Sequence, residues 1–271
     1  MINKIIMNKN KLTVIIPTYN VEIYLEGLLD CVKGWADEVI VCDSFSTDRT
    51  LEIARNNKVK IIQHEYINSA KQKNWVIPQA GNEWVMIIDA DEKPEEALKG
   101  EITNFIETVP DDVDMAYIPR KNLFWGKFMG KASAYPDYQS RLFRRNKGRY
   151  QDKEVHAQVK VPGRSVHLKN ALVHDDFTDI SSWWLRNNRY YRYELEECLK
   201  RGKKWGFKLQ IAKPVYVFLL FYVRRGGFMH GFRGLFVAMQ WFIYYFMVAA
   251  KLYEYELSLR QNITHKSANS K

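Results

Sequence analysis

Two carboxylates, Asp89 and Asp91, follow directly on an apolar run at residues 84–88. Side chains alternate along an extended chain, so the two carboxylates are predicted to point the same way at the end of a strand. Open α/β sheets bind their ligands at the carboxyl ends of strands, where Mg²⁺ is usually held by one or two carboxylates and substrate phosphates. The pair therefore predicts a divalent-cation site, although an isolated Asp-x-Asp is more often a solvated loop.

Further strands and helices precede this pair and must position it. The predicted strands are 12–16, 38–42, 58–62 and 84–88, and the predicted helices are 21–32, 50–56 and 69–77. Each strand is a short apolar run rich in β-branched residues, and each helix has apolar residues at helical spacing. Strands that alternate with helices in this way predict an α/β fold with a mainly parallel central sheet, covered on both faces.

Four short motifs follow one another along these elements: Pro17-Thr18-Tyr19-Asn20, then Asp43-Ser44 with Ser46-Thr47-Asp48, then residues 70–74, and Asp89-Ala90-Asp91-Glu92. Together they resemble the signature of family 2 glycosyltransferases, over residues 12–174. The resemblance implies a GT-A, Rossmann-like nucleotide-sugar transferase domain. Residues 122–127 and 135–145, with an Arg/Gly-rich aromatic tail, resemble more narrowly the bacterial lipopolysaccharide core β-1,4-glucosyltransferases that act on heptose.

The resemblance also implies roles for single residues. Contacts to the nucleotide sugar are expected from Thr18, Tyr19, Asn20, Asp43, Lys73 and Asp89. Asp43 would accept hydrogen bonds from uracil or ribose, and Asp89 would contact the ribose or a metal-bound water. The alternatives are that Asp43, together with Asp48, caps a helix and that Lys73 lies on a solvated helix face.

The resemblance implies a metal site at Asp91, which would bind a cation that bridges the donor diphosphate. The cofactor would be Mg²⁺ or Mn²⁺, which offsets the charge on the departing nucleoside diphosphate. His174 ends a second apolar run, and a late histidine completes the metal site in related enzymes. A carboxylate with an imidazole suits Mn²⁺ better than Mg²⁺. The alternative is a hydrogen-bonded structural histidine.

An inverting sugar transfer needs a base that takes the proton from the acceptor hydroxyl. Asp137 is the candidate, because a proline and two tyrosines surround it in sequence and apolar surroundings raise the pKa of a carboxyl group. Asp152 and Glu154 are the rivals. Gln139 and Arg141 are expected to contact the acceptor or phosphate, and their spacing departs from the Gln-x-x-Arg-Trp motif of processive relatives, which argues against a polymerising synthase.

The net charge of +10 is concentrated near the C-terminus. From Cys198 to Tyr253 there is no acidic residue, and the basic residues are Lys200, Arg201, Lys203, Lys204, Lys208, Lys213, Arg224, Arg225, Arg233 and Lys251. Two apolar runs, 215–223 and 235–250, fall short of the about 20 residues that span a membrane. We expect helices that lie on the anionic inner face of the cytoplasmic membrane, or alternatively a homo-oligomer interface. Nucleic acid is not an expected partner, because no binding motif accompanies the charge.

The predicted domain organisation is a catalytic domain at 1–178, a helical region at 179–260 and a flexible tail at 261–271. One long helix is expected from about 179 to 201. Three widely spaced cysteines match neither a disulfide framework nor a zinc site. The first apolar run is too short for a secretory signal, so a cytoplasmic, peripheral membrane protein is expected.

The function that this resemblance implies is a metal-dependent, inverting hexosyltransferase. It would move a hexose, expected to be glucose, from a UDP-sugar to a lipid-linked glycan such as inner-core heptose. Polyprenyl phosphate or another surface polysaccharide is the alternative acceptor. A phosphotransferase with Asp89 as nucleophile would place the motif after the first strand rather than the fourth. A non-catalytic membrane-surface scaffold would not need Asp43, Asp91 and Asp137.

Overall fold

The computed structural model describes residues 8–152, 157–175, 177, 179–204, 206 and 208–268. The chain divides into two compact units. The sheet unit comprises Met1–Asn122 and Tyr135–Asp176, and the helical unit comprises Leu123–Ala134 and Phe177–Lys271. The sequence placed one boundary near 178 and did not foresee that 123–134 belongs with the C-terminal helices.

The strands and helices of the sheet unit have the following bounds. The strands are β1 Asn8–Thr18, β2 Glu38–Asp43, β3 Lys60–Gln63, β4 Asn82–Ile87, β5 Glu92–Pro94, β6 Val113–Phe124, β7 Lys127–Phe128, β8 Asp137–Arg144, β9 Arg149–Tyr150, β10 Val159–Lys160, β11 Arg164–His167 and β12 Leu172–His174. The last two residues of β6, with β7, belong to the helical unit. The helices are α1 Glu22–Val32, α2 Thr50–Asn56, α3 Ser69–Val76 and α4 Glu96–Thr108.

The main sheet has the strand order β3-β2-β1-β4-β8-β6-β12-β5. Its first half is parallel, as predicted, because β1 pairs in parallel with β2 and β4, and β2 pairs in parallel with β3. The alternation of β1 divides its side chains between two buried layers. Val14 and Ile16 pack in one apolar cluster with α1, and Ile15 packs in the other with α3.

The second half of the sheet contains antiparallel pairs that the sequence analysis did not predict. β8 lies between β4 and β6 and is antiparallel to both. Its register places Arg120 opposite Asp137, and the parallel pairing of β12 with β6 places His174 opposite Asn122. Because residues 120 and 122 of β6 are two apart, their side chains share one face of the sheet. This register brings the candidate site together.

The helical unit contains α5 Ile180–Lys200, α6 Lys213–Leu219 and α7 Gly231–Ala268. Segment 123–134 joins it because Met129 and Ala132 are buried in an apolar cluster with Val217, Phe221 and Val237. Helix α7 runs through the predicted tail from 261 as far as Ala268, and no glycine or proline interrupts it there. Residues 269–271 lie outside the described part of the chain.

One helical stretch within the described residues, Gly227–Leu259, is long and apolar enough to cross a membrane by length and composition. The expectation that both C-terminal apolar runs are too short to span is therefore wrong for the second run. The predicted apolar run was ended at Ala250 because Lys251, a charged residue, follows it. The helix continues past Lys251 with residues that are good helix formers.

Candidate active site

The two aspartates of the central motif lie on a turn rather than on a strand. β4 ends at Ile87, and the backbone N–H of Glu92 donates to the Asp89 carbonyl oxygen at 2.9 Å. The turn sends the two side chains to different partners. The expectation that they point the same way is therefore wrong, because strand alternation ends before the motif begins.

Asp89 is the first carboxylate of a buried chain of alternating charges. Its two oxygens lie 3.0 Å from Lys73 Nζ and 2.5 Å from an Arg141 terminal nitrogen. Burial opposes the charge of Asp89, but Arg141 and Lys73 outweigh it and hold the pKa of Asp89 far below its ordinary range. Lys73 is buried and lies 5.4 Å from the centroid of the Tyr150 ring, so it is not on a solvated helix face.

The chain of charges continues through Glu92, which is fully buried. One Glu92 oxygen lies 2.6 Å from Arg141 and 3.2 Å from Arg120. Arg120 in turn contacts Asp137. Three cations therefore alternate with three carboxylates, which balances their charge and lets the group stay buried.

Asp137 accepts four hydrogen bonds in the structure. Its Oδ2 accepts from Arg120 at 3.0 and 2.8 Å and from Asn122 at 3.2 Å, and its Oδ1 accepts from Gln139 at 2.8 Å. Burial alone would raise its pKa, but the Arg120 charge and these bonds lower the pKa of Asp137 overall. The expectation of an elevated pKa is therefore wrong, because the sequence neighbours that suggested it do not surround the carboxylate.

Asp91 and His174 face one another across the end of the sheet. His174 Nε2 lies 3.6 Å from Asp91 Oδ2, and the Asp175 backbone N–H donates to the Asp91 carbonyl oxygen at 3.2 Å. Burial opposes ionisation of Asp91, but the imidazole outweighs it and lowers the pKa of Asp91. The structure therefore brings together the two residues predicted to be metal ligands.

Asn122 determines which nitrogen of His174 carries the proton. Its amide nitrogen donates to Asp137, so its oxygen faces His174 Nδ1, at 2.8 Å. An amide oxygen only accepts, so Nδ1 must be the protonated nitrogen. In the neutral imidazole, Nε2 is then the unprotonated nitrogen. It lies 3.6 Å from Asp91 Oδ2, so an imidazole nitrogen and a carboxylate oxygen that can each bind a divalent cation are close together.

This pair fits a divalent cation that takes its other ligands from a substrate. The described residues contain no group of three or more His, Cys, Asp or Glu side chains suited to a metal. Two protein ligands are sufficient where diphosphate oxygens and water supply the rest, as is usual for Mg²⁺ and its substitutes. The backing of His174 by Asn122 is the kind of outer contact that orients a metal-binding imidazole.

The residues at the ends of β1 and β2 are packed against one another. Asp43 is fully buried and accepts hydrogen bonds from Thr18 at 3.1 Å, from the Ser46 backbone at 3.0 Å and from Gln63 at 3.2 Å. Asp43 therefore anchors the loop after β2. The capping role proposed as its alternative belongs to Asp48, whose carboxylate accepts from backbone N–H groups at the starts of α1 and α2.

Tyr19 and Asn20 have different roles at this edge of the sheet. The Tyr19 ring is 60% exposed, so it offers a free face beside the strand ends. Asn20 accepts from the Thr47 backbone N–H at 2.8 Å, and its own N–H donates to Ser46 at 2.9 Å. Asn20 therefore holds the loop that carries these residues, and Tyr19 is the exposed side chain of the motif.

Three residues of the site were missed by sequence reasoning. Glu92 belongs to the recognised motif, yet its role as the buried centre of the charge chain depends on two arginines distant in sequence. Arg120 and Asn122 are two residues apart on β6 and so lie on the same face of the sheet. This arrangement can be recognised only when the pairing of β6 with its neighbours is known. Of the rival bases, Asp152 is exposed, and Glu154 lies outside the described residues.

Comparisons with known proteins agree with this geometry. A family model described as Glycosyl transferase family 2 matches residues 13–167. The lipopolysaccharide core biosynthesis glycosyltransferase LpsC of Rhizobium meliloti strain 1021 is 27% identical over 264 residues, which is 94% of this chain and 97% of LpsC.

Two solved structures share the fold. The mannosyltransferase PcManGT from Pyrobaculum calidifontis, in complex with GDP-Man and Mn²⁺, aligns with a TM-score of 0.55 at 16% identity, over 89% of this chain and 86% of that one. S. aureus TarS 1-349, in complex with UDP-GlcNAc, aligns with a TM-score of 0.50 at 20% identity, over 87% and 81% of the two chains.

Proposed function

The chain belongs to glycosyl transferase family 2 and has the GT-A fold, and we propose that it transfers a hexose from a UDP-sugar to a lipid-linked glycan with inversion at the anomeric carbon. Glucose is the first sugar to test. The observation that carries the proposal is the Asp91–His174 pair, which lies beside a buried, charge-balanced network at the carboxyl ends of the strands.

The donor is expected to bind with its diphosphate at this pair. Asp91 and His174 would hold a divalent cation, which as a Lewis acid offsets the charge of the departing nucleoside diphosphate. PcManGT, with its bound GDP-Man and Mn²⁺, supports this assignment. Lys73, whose pKa is raised by Asp89 despite its burial, stays charged throughout the physiological range and supplies a fixed positive charge nearby.

The nucleoside is expected to lie against the exposed ring of Tyr19, because base–aromatic stacking needs a free ring face. Asp43 is fully engaged by protein donors, so its contribution is to fix the loop that shapes this pocket. Thr18, Asn20 and Asp89 support the pocket in the same way, through the bonds they make within the protein. Of the proposed nucleotide residues, Tyr19 is therefore the one to test for direct contact.

Asp137 is proposed as the base through its Oδ1 oxygen, where an acceptor hydroxyl could bind beside Gln139. In the structure Oδ2 accepts three hydrogen bonds, whereas Oδ1 accepts one and keeps a second lone pair. Gln139 is the neutral donor on Oδ1, so an acceptor bound there leaves the Arg120 ion pair intact. Asp152, which is exposed, is the alternative base.

A phosphotransferase with Asp89 as nucleophile is disfavoured by the contacts of that carboxylate. Both of its oxygens accept charge-assisted hydrogen bonds, from Lys73 and from Arg141. A carboxylate held in this way is strongly stabilised as an anion, which makes it a weaker nucleophile towards a phosphoryl group.

The acceptor is proposed to be membrane-bound glycan, with the inner-core heptose of lipopolysaccharide as the first candidate. The support is the name of LpsC, which is similar along nearly the whole chain, and the basic, apolar helical unit. We therefore propose that the protein acts at the inner face of the cytoplasmic membrane. A self-association of the helical unit is the alternative use of that surface.

The proposal is tested by UDP release from a panel of UDP-sugars with Mn²⁺ or Mg²⁺, first without acceptor and then with heptose-terminated core oligosaccharide. One UDP-sugar is expected to be consumed faster when acceptor is present, with transfer product detected by mass spectrometry. An Asp91→Asn variant serves as the inactive control. Absence of binding and turnover with every UDP-sugar in the panel would contradict the proposal.

A further inference from the structure

A line of exposed apolar side chains runs along α7 at intervals of seven residues. Its members are Phe232, Met239, Phe246 and Tyr253, and Phe232 is 68% exposed. Seven residues are close to two helical turns, so the four side chains share one face over about 32 Å of helix. We call this set the α7 stripe.

The opposite side of α7 is packed against the rest of the helical unit. Val237, Ala238, Val248 and Leu252 are buried, and the Trp241 ring stacks on the Phe221 ring with centroids 5.2 Å apart. The helix thus already has a filled inner face. The α7 stripe is a second apolar face that stays exposed, although the Phe232 ring also lies near the Trp125 ring, with centroids 6.2 Å apart.

The turn before α7 extends this apolar surface. Phe228 and Met229 are exposed there, Met229 to 73%. The turn is tightly built, because a side chain at Gly234 would meet the carbonyl oxygen of Gly227. A closely packed turn holds its exposed apolar residues in place instead of letting them fold inward.

The charges beside the N-terminal part of this surface are positive. Arg224 and Arg233 are exposed on either side of the turn, and residues 234–250 carry no charged side chain before Lys251; the exposed Glu254 follows Tyr253 at the far end of the stripe. An apolar face bordered by cations at one end is complementary to an anionic bilayer surface, where acyl chains and negative headgroups meet.

Self-association fits this charge pattern poorly. Helices that pair along a seven-residue repeat use charges of both signs beside the seam to select a partner. Along α7 the uncharged segment offers none, and the unbalanced cations from Cys198 to Tyr253 would repel those of a second copy.

A membrane-spanning arrangement of α7 conflicts with its neighbour α5. The Tyr191 ring of α5 contacts the Tyr244 ring, in the middle of the uncharged segment, with centroids 5.6 Å apart. One residue further along α5, Arg192 lies 4.0 Å from Glu196, and both side chains are exposed. If α7 crossed a bilayer, these charges would lie in the hydrocarbon layer at a high cost.

We propose that α7 lies in the plane of an anionic membrane, with the α7 stripe and the turn residues Phe228 and Met229 in the acyl-chain boundary and Arg224 and Arg233 at the headgroups. This assigns the membrane contact to one face of one helix. It does not depend on the sugar transferred, because the contact residues take no part in the proposed reaction.

The test is flotation of the full-length protein with vesicles of phosphatidylcholine containing phosphatidylglycerol. The stripe variant combines Phe232→Ser with Phe246→Ser, and its control is Leu185→Ser, which changes a 70% exposed apolar residue on α5. The charge variant combines Arg224→Gln with Arg233→Gln. Its control combines Lys58→Gln with Lys147→Gln, two exposed lysines of the sheet unit.

The wild type is expected to float with anionic vesicles and to be released by salt. The stripe variant should need about tenfold more lipid or greater for half-binding, and the charge variant about 25-fold more at low salt, roughly fivefold for each cation. Both controls should bind as the wild type does. Equal binding by the stripe variant and wild type would overturn the proposal.

Two further measurements separate the other arrangements. Alkaline carbonate should release the protein from cell membranes, whereas retention in the membrane pellet would mean that α7 spans the bilayer and would overturn the proposal. Sedimentation without lipid should give the same mass for wild type and stripe variant. A wild-type oligomer that the stripe variant abolishes would assign the stripe to self-association instead.

Discussion

Replacement of Arg120 by methionine tests the buried charge network most sharply. The substitution keeps an unbranched apolar stem but removes three hydrogen bonds, two to Asp137 and one to Glu92. Loss of one partner of a buried ion pair costs about 3–5 kcal/mol. The Asp137 side chain is 28% exposed and keeps its amide donors, so we expect a loss of about 2–4 kcal/mol at pH 7.

The loss should depend on pH in a defined direction. The folded protein lowers the pKa of Asp137, so the pair stabilises the fold above the unfolded-state pKa of about 3.9 and ceases to do so as the pH falls through the folded value. Without Arg120, Asp137 protonates at higher pH. The difference between wild type and variant should therefore shrink chiefly below about pH 4, as the pH falls through the lowered folded pKa of Asp137.

Native-state hydrogen exchange of the β6 and β8 amides measures this free energy within the sheet unit alone. The matched control is Arg164→Met, which breaks an exposed pair with Asp112 and should change exchange very little. Restoration of protection at pH 7 by adding Asp137→Asn to the Arg120 variant would support the charge argument. A loss no larger than that of the control, or one that persists undiminished when the pH is lowered through the folded pKa of Asp137, would refute it.

Three further outcomes are expected. Asp137→Asn should lower kcat by about 10²–10⁴ with donor affinity little changed, and near-normal turnover would remove it from the base role. Asn122→Leu should weaken Mn²⁺ binding by about 10–100-fold, because His174 Nδ1 loses the amide oxygen that accepts its hydrogen bond. Direct titration with Mn²⁺ measures this affinity, and an unchanged affinity would contradict the prediction. Burial raises the pKa of Cys42 to about 11, so iodoacetamide at pH 8 should label this thiol only after unfolding. Partly buried Cys31 serves as the internal comparison. Labelling of Cys42 in the native protein would contradict its burial.

The parallel half of the sheet was predictable because each of its strands is a self-contained apolar run. Residues 12–16 and 40–42 are buried on both faces, and such strands are recognised by composition alone. The antiparallel half was not predicted. β8 and β12 owe their places to pairing with β6, a long-range register that no local pattern encodes.

The sequence motifs predicted which residues belong to the site. They predicted less well the properties that depend on a residue's spatial neighbours. Asp91 and His174, which each follow an apolar run in the sequence, lie together in the structure, and their role as metal ligands stays a prediction. The pKa of Asp137 was predicted in the wrong direction, since its sequence neighbours are aromatic while its spatial neighbours are Arg120 and Asn122. Sequence motifs therefore identify Asp137 as a candidate, whereas the pairing register of the sheet determines which side chains surround it.

Calorimetric titration of UDP with and without Mn²⁺, on wild type and Asp91→Asn, tests the central claim most directly. Mn²⁺ should strengthen UDP binding to the wild type by tenfold or more, and this enhancement should vanish in the variant while binding without metal is unchanged. Asp111→Asn, at an exposed position, should behave as the wild type does. Full retention of the Mn²⁺ enhancement by Asp91→Asn would contradict the assignment of the metal to the Asp91–His174 pair.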